Sequence, residues 1–271
     1  MVMLDIGPWT DAPTETAGET VFAVGDVHGC TPLLDTMLTG IAGLLPGVAS
    51  PRLVFLGDLI DRGPDSIGSL RRWAAAEPVP GISRVDRLMG NHEQLMLIAI
   101  SDLPEAATAR EEWLSHDGDT MLAELRAVTG RPDAPPDAAL LRAAMGDTVM
   151  AALRAQRSHV ALGNLVFVHA GLDPAQDAAS FLALPWDSLA ARPRHWAWIT
   201  AGFLDWHGGF GGRLVVHGHT PPAKQHRFTG LDDPHVLAEG RLNLDGGSAR
   251  TGMVAGAQIE TGRYRVLRAT A

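Results

Sequence analysis

The chain has 271 residues, 46% hydrophobic and 20% charged, enough for one large α/β domain with a filled core and a tight fit for two equal ones. Its formal net charge of −9 comes without any run of Lys or Arg, which argues against a nucleic-acid partner, since that needs a basic stripe. The single cysteine, Cys30, cannot form an internal disulfide, and no apolar run approaches the roughly 20 residues needed to span a bilayer. No basic segment leads into an apolar core at the N-terminus, so a reducing, cytoplasmic location without a membrane partner is expected.

Residues 1–18 are rich in Pro, Gly, Thr and acid without an apolar period, and read as a loose lead-in or an edge cover. The apolar run at 21–24 enters Gly25-Asp26-Val27-His28-Gly29, after which Cys30 reads as a small buried residue where a helix starts. Thr31-Pro32 can cap and open that helix, on which Leu33, Leu34, Met37, Leu38 and Ile41 recur at helical spacing. Pro46, Gly47 and Pro51 separate it from a second strand ending in Leu56-Gly57-Asp58-Leu59-Ile60-Asp61-Arg62-Gly63. That turn gathers two carboxylates and a guanidinium between glycines, and Gly63-Pro64 starts a helix through Ile67, Leu70 and Trp73.

Leu88-Met89 runs into Gly90-Asn91-His92-Glu93. From there the texture turns helical as far as about Arg157, with Pro132, Pro135 and Pro136 between two helical blocks. Residues 94–158 are therefore expected to be a helical insertion or lid, with Trp113, Leu114, Met121, Leu122 and Leu125 in its core. Strand texture returns beyond His159, at 165–168, 213–216, 241–244, 253–259 and 264–267. The first two of these runs end in His169-Ala170-Gly171 and His217-Gly218-His219-Thr220. Trp196, Trp198 and Trp206 read as packing under a loop rather than as a base-stacking platform, and the histidines outside these turns, His116 among them, as ordinary surface or core residues.

Five apolar runs thus end in turns bearing carboxylates, imidazoles and one amide. Strand tips along one edge of a sheet are where α/β folds place their sites, so the turns are expected to converge. With no thiolate among the donors, the set suits Mn, Fe, Zn or Mg. Asp58, central to the series, is the candidate for a carboxylate bridging two cations.

The ordered series GDVHG, GDLIDRG, GNHE, HAG and GHT resembles the calcineurin-like metallophosphoesterases, and within them the phosphoprotein phosphatases, a family that includes bacterial serine/threonine phosphatases and symmetrical dinucleoside tetraphosphatases. The resemblance runs from Val21 to Asp245. It implies a two-sheet αββα sandwich, here as a single domain over 1–271, with the 94–158 insertion inside it. It also implies two divalent metal ions, Mn first and Fe, Zn or Mg as alternatives. Asp26 and His28 would bind the first metal and Asp58 would bridge to a second, completed by Asn91, His169 and His219. A metal-bridging hydroxide would then hydrolyse phosphomonoesters. Arg62 would grip a phosphoryl oxygen, with Asn91 and His92 also facing substrate. His92 would donate a proton to the leaving oxygen, held by Asp61, whose charge should raise the imidazole pKa. His217 competes with His219 but reads as a strand-end residue.

Three positions depart from wider patterns. Pro221 stands where broader metallophosphoesterases carry a further histidine, which matches the phosphatase branch. Asp117 stands where bacterial phosphatases have the first of two glycines. Thr200 replaces an arginine that usually follows Trp-Ile and grips phosphate, and Arg192, Arg194 or Arg213 are the candidates to supply that charge. The expected activity is a phosphatase of the serine/threonine type, acting on a phosphorylated protein. The alternatives are a hydrolase of dinucleoside polyphosphates or another small phosphorylated metabolite, and a metal-binding interaction module without turnover. The sequence does not indicate an oligomeric state.

Overall fold

The computed structural model describes residues 2–271. Among the described residues the strands are β1 (Met3–Ile6), β2 (Thr10–Asp11), β3 (Thr20–Val24), β4 (Pro51–Phe55), β5 (Arg84–Arg87), β6 (His159–Leu162), β7 (Leu165–Val168), β8 (Leu214–His217), β9 (Arg241–Asn243), β10 (Met253–Glu260) and β11 (Arg263–Thr270). A seven-stranded sheet has the order β1-β11-β10-β3-β4-β5, with β2 also on β11, and a four-stranded sheet has the order β6-β7-β8-β9.

The two sheets face each other because their strands are apolar on both faces. In β3 and β4, Val21, Ala23 and Val54 pack with Phe167, Val216 and Leu244 of the other sheet. The alternate residues Phe22, Val24, Leu53 and Phe55 pack with helical residues such as Leu34, Met37 and Trp73. The two-residue period of a strand thus divides each run between an inter-sheet layer and a helical layer. Val166, Val168 and Val215 likewise join the helix-side cluster, with Phe203 and Trp196. The result is the expected αββα sandwich.

Strands β3, β4 and β5 are mutually parallel, as are β7, β8 and β9. Their carboxyl ends carry Asp26, Asp58, Asn91, His169, His219 and Asp245 into the following turns. In the C-terminal half β6 pairs antiparallel with β7, and β10 and β11 pair antiparallel with each other and extend the first sheet from β3.

Some local expectations change. The lead-in forms β1 and β2, both paired with β11, so it extends the sheet instead of only covering its edge. The helix Thr31–Leu44 buries the predicted apolar face, but it lacks a side-chain cap, and Thr31 Oγ1 instead donates to the Asp65 carbonyl at 2.8 Å. Cys30, at the cap position, is half-buried. The helix Ser66–Ala74 starts three residues after Gly63 and is capped by Asp65, whose carboxylate accepts from Gly68 N–H at 2.9 Å. Between residues 91 and 158 run the helices Asn91–Ala99, Ala106–Trp113, Asp119–Thr129 and Ala138–Arg154, with a single π turn at Leu114–Gly118. The three prolines fall between the last two helices, as anticipated. No helix among the described residues is long and apolar enough to cross a membrane.

Candidate active site

The turns after the strands are built on backbone that most residues avoid. His28, Asp58, Asp61, Arg62 and His219 all have φ between 44° and 70°, a left-handed region costing a non-glycine residue on the order of 1 kcal/mol. Such strain persists only where the surroundings hold it. Here Glu93 does so for the central turn. Its buried carboxylate accepts from Asp58 N–H at 2.8 Å, Leu59 N–H at 2.7 Å and Gly90 N–H at 3.1 Å. Burial, with Asp58 adding, pushes its pKa up to about 7. Gly90 is required for a second reason: a Cβ there would overlap Asp58 Oδ1.

Asp58 Oδ2 lies 3.6 Å from His28 Nε2 and 3.3 Å from His169 Nε2. Asn91 Oδ1 is 3.1 Å from His169 Nε2 and 2.8 Å from His219 Nδ1. Two trios, His28-Asp58-His92 and Asp58-His169-His219, each bring their candidate ligand atoms within 4.8 Å of one another, and Asp58 belongs to both. Asp26 stands slightly further out. Its Oδ2 is 3.9 Å from His28 Nε2, and its carboxylate accepts the His219 N–H at 3.1 Å.

Backbone carbonyls orient the imidazoles. Ile60 O lies 2.8 Å from His28 Nδ1, Leu56 O 2.9 Å from His169 Nδ1 and Trp198 O 3.1 Å from His219 Nε2. Carbonyls can only accept, so each of those nitrogens carries a proton and the other faces the cluster, bare whenever the ring is neutral, the arrangement that suits a metal-ligating histidine.

Electrostatics favour the same occupant. Burial, then Asp245 and Asp58, holds Asp26 well above the usual carboxylate range. Burial also opposes charge on Asp58, yet His169, His92 and His28 carry it well below that range. Burial would lower His169, but Asp58, Asp26 and Glu93 together raise it to about 9. His28 and His219 are depressed, chiefly by burial, and so stay neutral. Buried carboxylates beside the neutral imidazoles of His28 and His219, with His169 drawn toward a positive charge between them, fit divalent cations.

His92 lies at the edge of this cluster. Its Nδ1 is 2.7 Å from Asp61 Oδ2, and its buried Nε2 has no hydrogen-bond partner. Asp61 does not raise its pKa as expected: burial lowers His92 to about 4 and raises Asp61 well above the usual range. Desolvation of both groups outweighs their mutual attraction. Arg62 Nη1 is 2.8 Å from His28 Nε2, and Arg62 Nε is 3.5 Å from Asp117 Oδ2. Asp117 has φ 69°, a left-handed conformation that favours glycine. His217 is buried at the end of β8, outside the cluster and edge-on to Phe203.

A cavity of about 280 Å³ opens over the donors, with Arg62, His116, Trp198, Thr200, Lys224 and Arg250 in its walls. Several of these escape sequence reasoning. His116 lies 6.4 Å from His92 and 5.9 Å from Trp198, ring to ring, so it is not an ordinary surface residue. Of the three tryptophans expected to pack, only Trp196 is buried; Trp198 lines the cavity and Trp206 is exposed. Gln94 fixes Trp198, accepting its indole N–H while donating to the Trp186 carbonyl. None of the three candidate arginines lines the cavity. Arg192 pairs with Glu112 and lies 4.7 Å over the Trp198 ring, and Arg194 is 4.0 Å from Asp173. Lys224 approaches instead, with Nζ 3.3 Å from Thr200 Oγ1. Asp245 also escapes sequence reasoning. It is buried, accepts the Gly247 N–H at 2.7 Å and is pushed up to about 6 by burial.

The calcineurin-like phosphoesterase profile matches residues 19–245. Among curated proteins, a symmetrical bis(5'-nucleosyl)-tetraphosphatase from Janthinobacterium sp. (strain Marseille) is 32% identical over 165 residues, covering 61% of this chain and 48% of that protein. Serine/threonine-protein phosphatase 1 of Salmonella typhimurium is 36% identical over 103 residues, covering 36% of this chain and 39% of that one. The chain therefore spans about half the length, or less, of these curated relatives. A solved cold-active protein-tyrosine phosphatase of a psychrophilic Shewanella shares the fold with a TM-score of 0.52 to 0.56 and 17% identity, over 90% to 91% of this chain and 75% to 77% of that one.

Proposed function

The chain belongs to the calcineurin-like phosphoesterases, and from that premise we propose that it is a metal-dependent phosphoric ester hydrolase acting on a dinucleoside polyphosphate or another small phosphorylated metabolite. The observation that carries the hydrolase reading is Asp58, shared by two trios of donors and flanked by a buried imidazole with a free nitrogen. Asp26, His28, Asp58, Asn91, His169 and His219 would hold two divalent ions, Mn first among the candidates, which when bound supply Lewis acidity and a water made acidic near neutral pH.

The remaining roles belong to the chain's own side chains. Arg62, with its planar fork at the cavity wall, grips a phosphoryl oxygen. His92 presents Nε2–H to the leaving-group oxygen and passes it that proton, while the Asp61 carboxyl, raised well above the usual range, fixes the ring by donating to Nδ1. Trp113 fixes Asp61 in turn, donating to both of its oxygens at 3.0 and 3.2 Å. The helices of 94–158 act as the lid of a single domain, since they bring Trp113 and His116 to the site.

The preference for a small polyphosphate over a phosphoprotein draws support from the similarity to bis(5'-nucleosyl)-tetraphosphatases over 61% of this chain, against 36% for the serine/threonine phosphatase. A protein phosphatase is the second reading, supported by that latter relative. The purified protein, assayed with Mn on p-nitrophenyl phosphate, a phosphopeptide and a dinucleoside tetraphosphate, tests both. Preference for the tetraphosphate supports the first reading and preference for the phosphopeptide the second. Metal uptake without activity on any of the three would leave a binding module.

A further inference from the structure

Resting on the hydrolase reading, we infer that Lys224, with Arg250 beside it, binds phosphate oxygens beyond the phosphoryl group under attack, so that the site selects substrates with a condensed phosphate chain. Lys224 is the only lysine among the 22 Lys and Arg residues of the chain. It lines the cavity, as does Arg250. Among the described residues neither has a carboxylate within ion-pairing distance, whereas Arg192 and Arg194 at the neighbouring loop are both paired. In a protein of net charge −9, two unpaired cations in the wall of one cavity form a local field for an anion.

Their position separates them from Arg62. The Arg62 guanidinium lies 2.8 Å from His28 Nε2, in one donor trio. Lys224 Nζ lies 3.3 Å from Thr200 Oγ1, which is 3.4 Å from His219 Nε2, in the other trio. Arg62 and Lys224 therefore neighbour different donor trios, the two that share Asp58. Arg250 sits on the short helix Ser248–Thr251, and a Cβ added at the preceding Gly247 would stand 3.4 Å from Pro222 and 3.6 Å from Pro221, where the helix carrying Lys224 begins. Lys224 and Arg250 thus share one side of the cavity. A phosphomonoester presents one phosphoryl group, which the donor cluster and Arg62 already serve. A second group of cations finds a partner only if further phosphates follow. A lysine suits such a substrate, because its compact charge on a flexible stem follows a chain of oxygens, whereas an arginine fork fixes a single pair.

The test compares kcat/KM of the Mn-loaded protein and of its K224A, K224R and R250A variants on a dinucleoside tetraphosphate and on p-nitrophenyl phosphate. K224A should lower kcat/KM on the tetraphosphate by about ten- to a hundredfold, mainly through KM, and by about tenfold more than on p-nitrophenyl phosphate. K224R, which keeps the charge but not the compact head, should recover only part of the loss, and R250A should show the same substrate bias. Equal losses on both substrates, or none on either, overturn the inference. If the unmodified protein turns over neither substrate, the hydrolase reading fails, and Lys224 is judged by acetylation followed by mass spectrometry with and without inorganic tripolyphosphate. Protection of Lys224 supports it as a polyphosphate contact; unchanged labelling overturns it.

Discussion

Trp113 and His92 hold the same carboxylate from two sides: the Trp113 indole N–H donates to Asp61 Oδ2 at 3.0 Å, and His92 Nδ1 lies 2.7 Å from that oxygen. The three side chains come from the turn after β4, the helix Asn91–Ala99 and the helix Ala106–Trp113. Removing the indole donor while keeping an aromatic ring should therefore loosen His92 without touching the metal donors. Trp113→Phe is expected to lower kcat by about tenfold and stability by about 1 kcal/mol, with metal content unchanged. Elemental analysis beside steady-state kinetics checks this; a loss of metal would mean that Trp113 supports the donor cluster itself.

His92 belongs to a candidate metal trio and is also proposed as the proton donor, and one substitution separates the two roles. His92→Asn should keep the metal content and cut turnover by about 100- to 10,000-fold for esters with poor leaving groups, much less for p-nitrophenyl phosphate. A uniform loss across leaving groups excludes the acid role. Loss of one metal equivalent assigns His92 as a ligand.

Asp58 is common to both trios, so Asp58→Asn should weaken both metals together rather than one. Gly90→Ala offers an independent approach, because the new Cβ would overlap Asp58 Oδ1 and press on Glu93 Oε2. Metal titration followed by calorimetry should find both variants folded and both deficient. Retention of two equivalents by Asp58→Asn would refute the bridge.

Much of this centre is legible in the sequence because its residues sit at the tips of apolar strands, where a glycine and a donor adjoin in the chain. Asp26, Asp58, His169 and His219 follow apolar runs that read as buried strands, Asn91 follows the short apolar pair Leu88-Met89 beyond β5, and the parallel order of β3-β4-β5 and β7-β8-β9 brings these tips together. The cavity walls are not legible in the same way. Trp113 is core, as its helix suggests, and only its contact with Asp61 is hidden from the sequence; His116 comes from the π turn Leu114–Gly118, and Lys224 lies on a solvent-facing helix with no motif of its own. Their roles arise from tertiary approach, which no local spacing records. The three arginines fail as replacements for the same reason: proximity in sequence to Thr200 does not bring them into the cavity. The lead-in escapes a strand reading because β1 and β2 are short and lack alternation, and pairing with the long β11 makes them strands.

A separate consequence concerns stability, at a histidine remote from the donor cluster. His195 is fully buried, its Nδ1 accepts from Ala197 N–H at 3.2 Å, and its Nε2 lies 3.2 Å from the Pro185 carbonyl. This pattern needs the neutral ring, because a protonated Nδ1 could no longer accept. Burial therefore lowers its pKa to about 4, against the opposing pull of the Pro185 carbonyl and with Arg192 adding to the effect. As pH falls below about 6.5 the unfolded chain takes up a proton that the folded chain refuses until about 4. The unfolded state then binds more protons, so stability contributed by neutral His195 is present above pH 6.5 and is lost progressively down to pH 4. The whole loss is at most about 3 kcal/mol. His195→Gln can keep one acceptor and one donor without titrating, so it should flatten this limb. Urea midpoints of the two proteins, measured from pH 7.5 to 4.5, should converge toward acid; parallel curves would show that His195 does not set the acid limb.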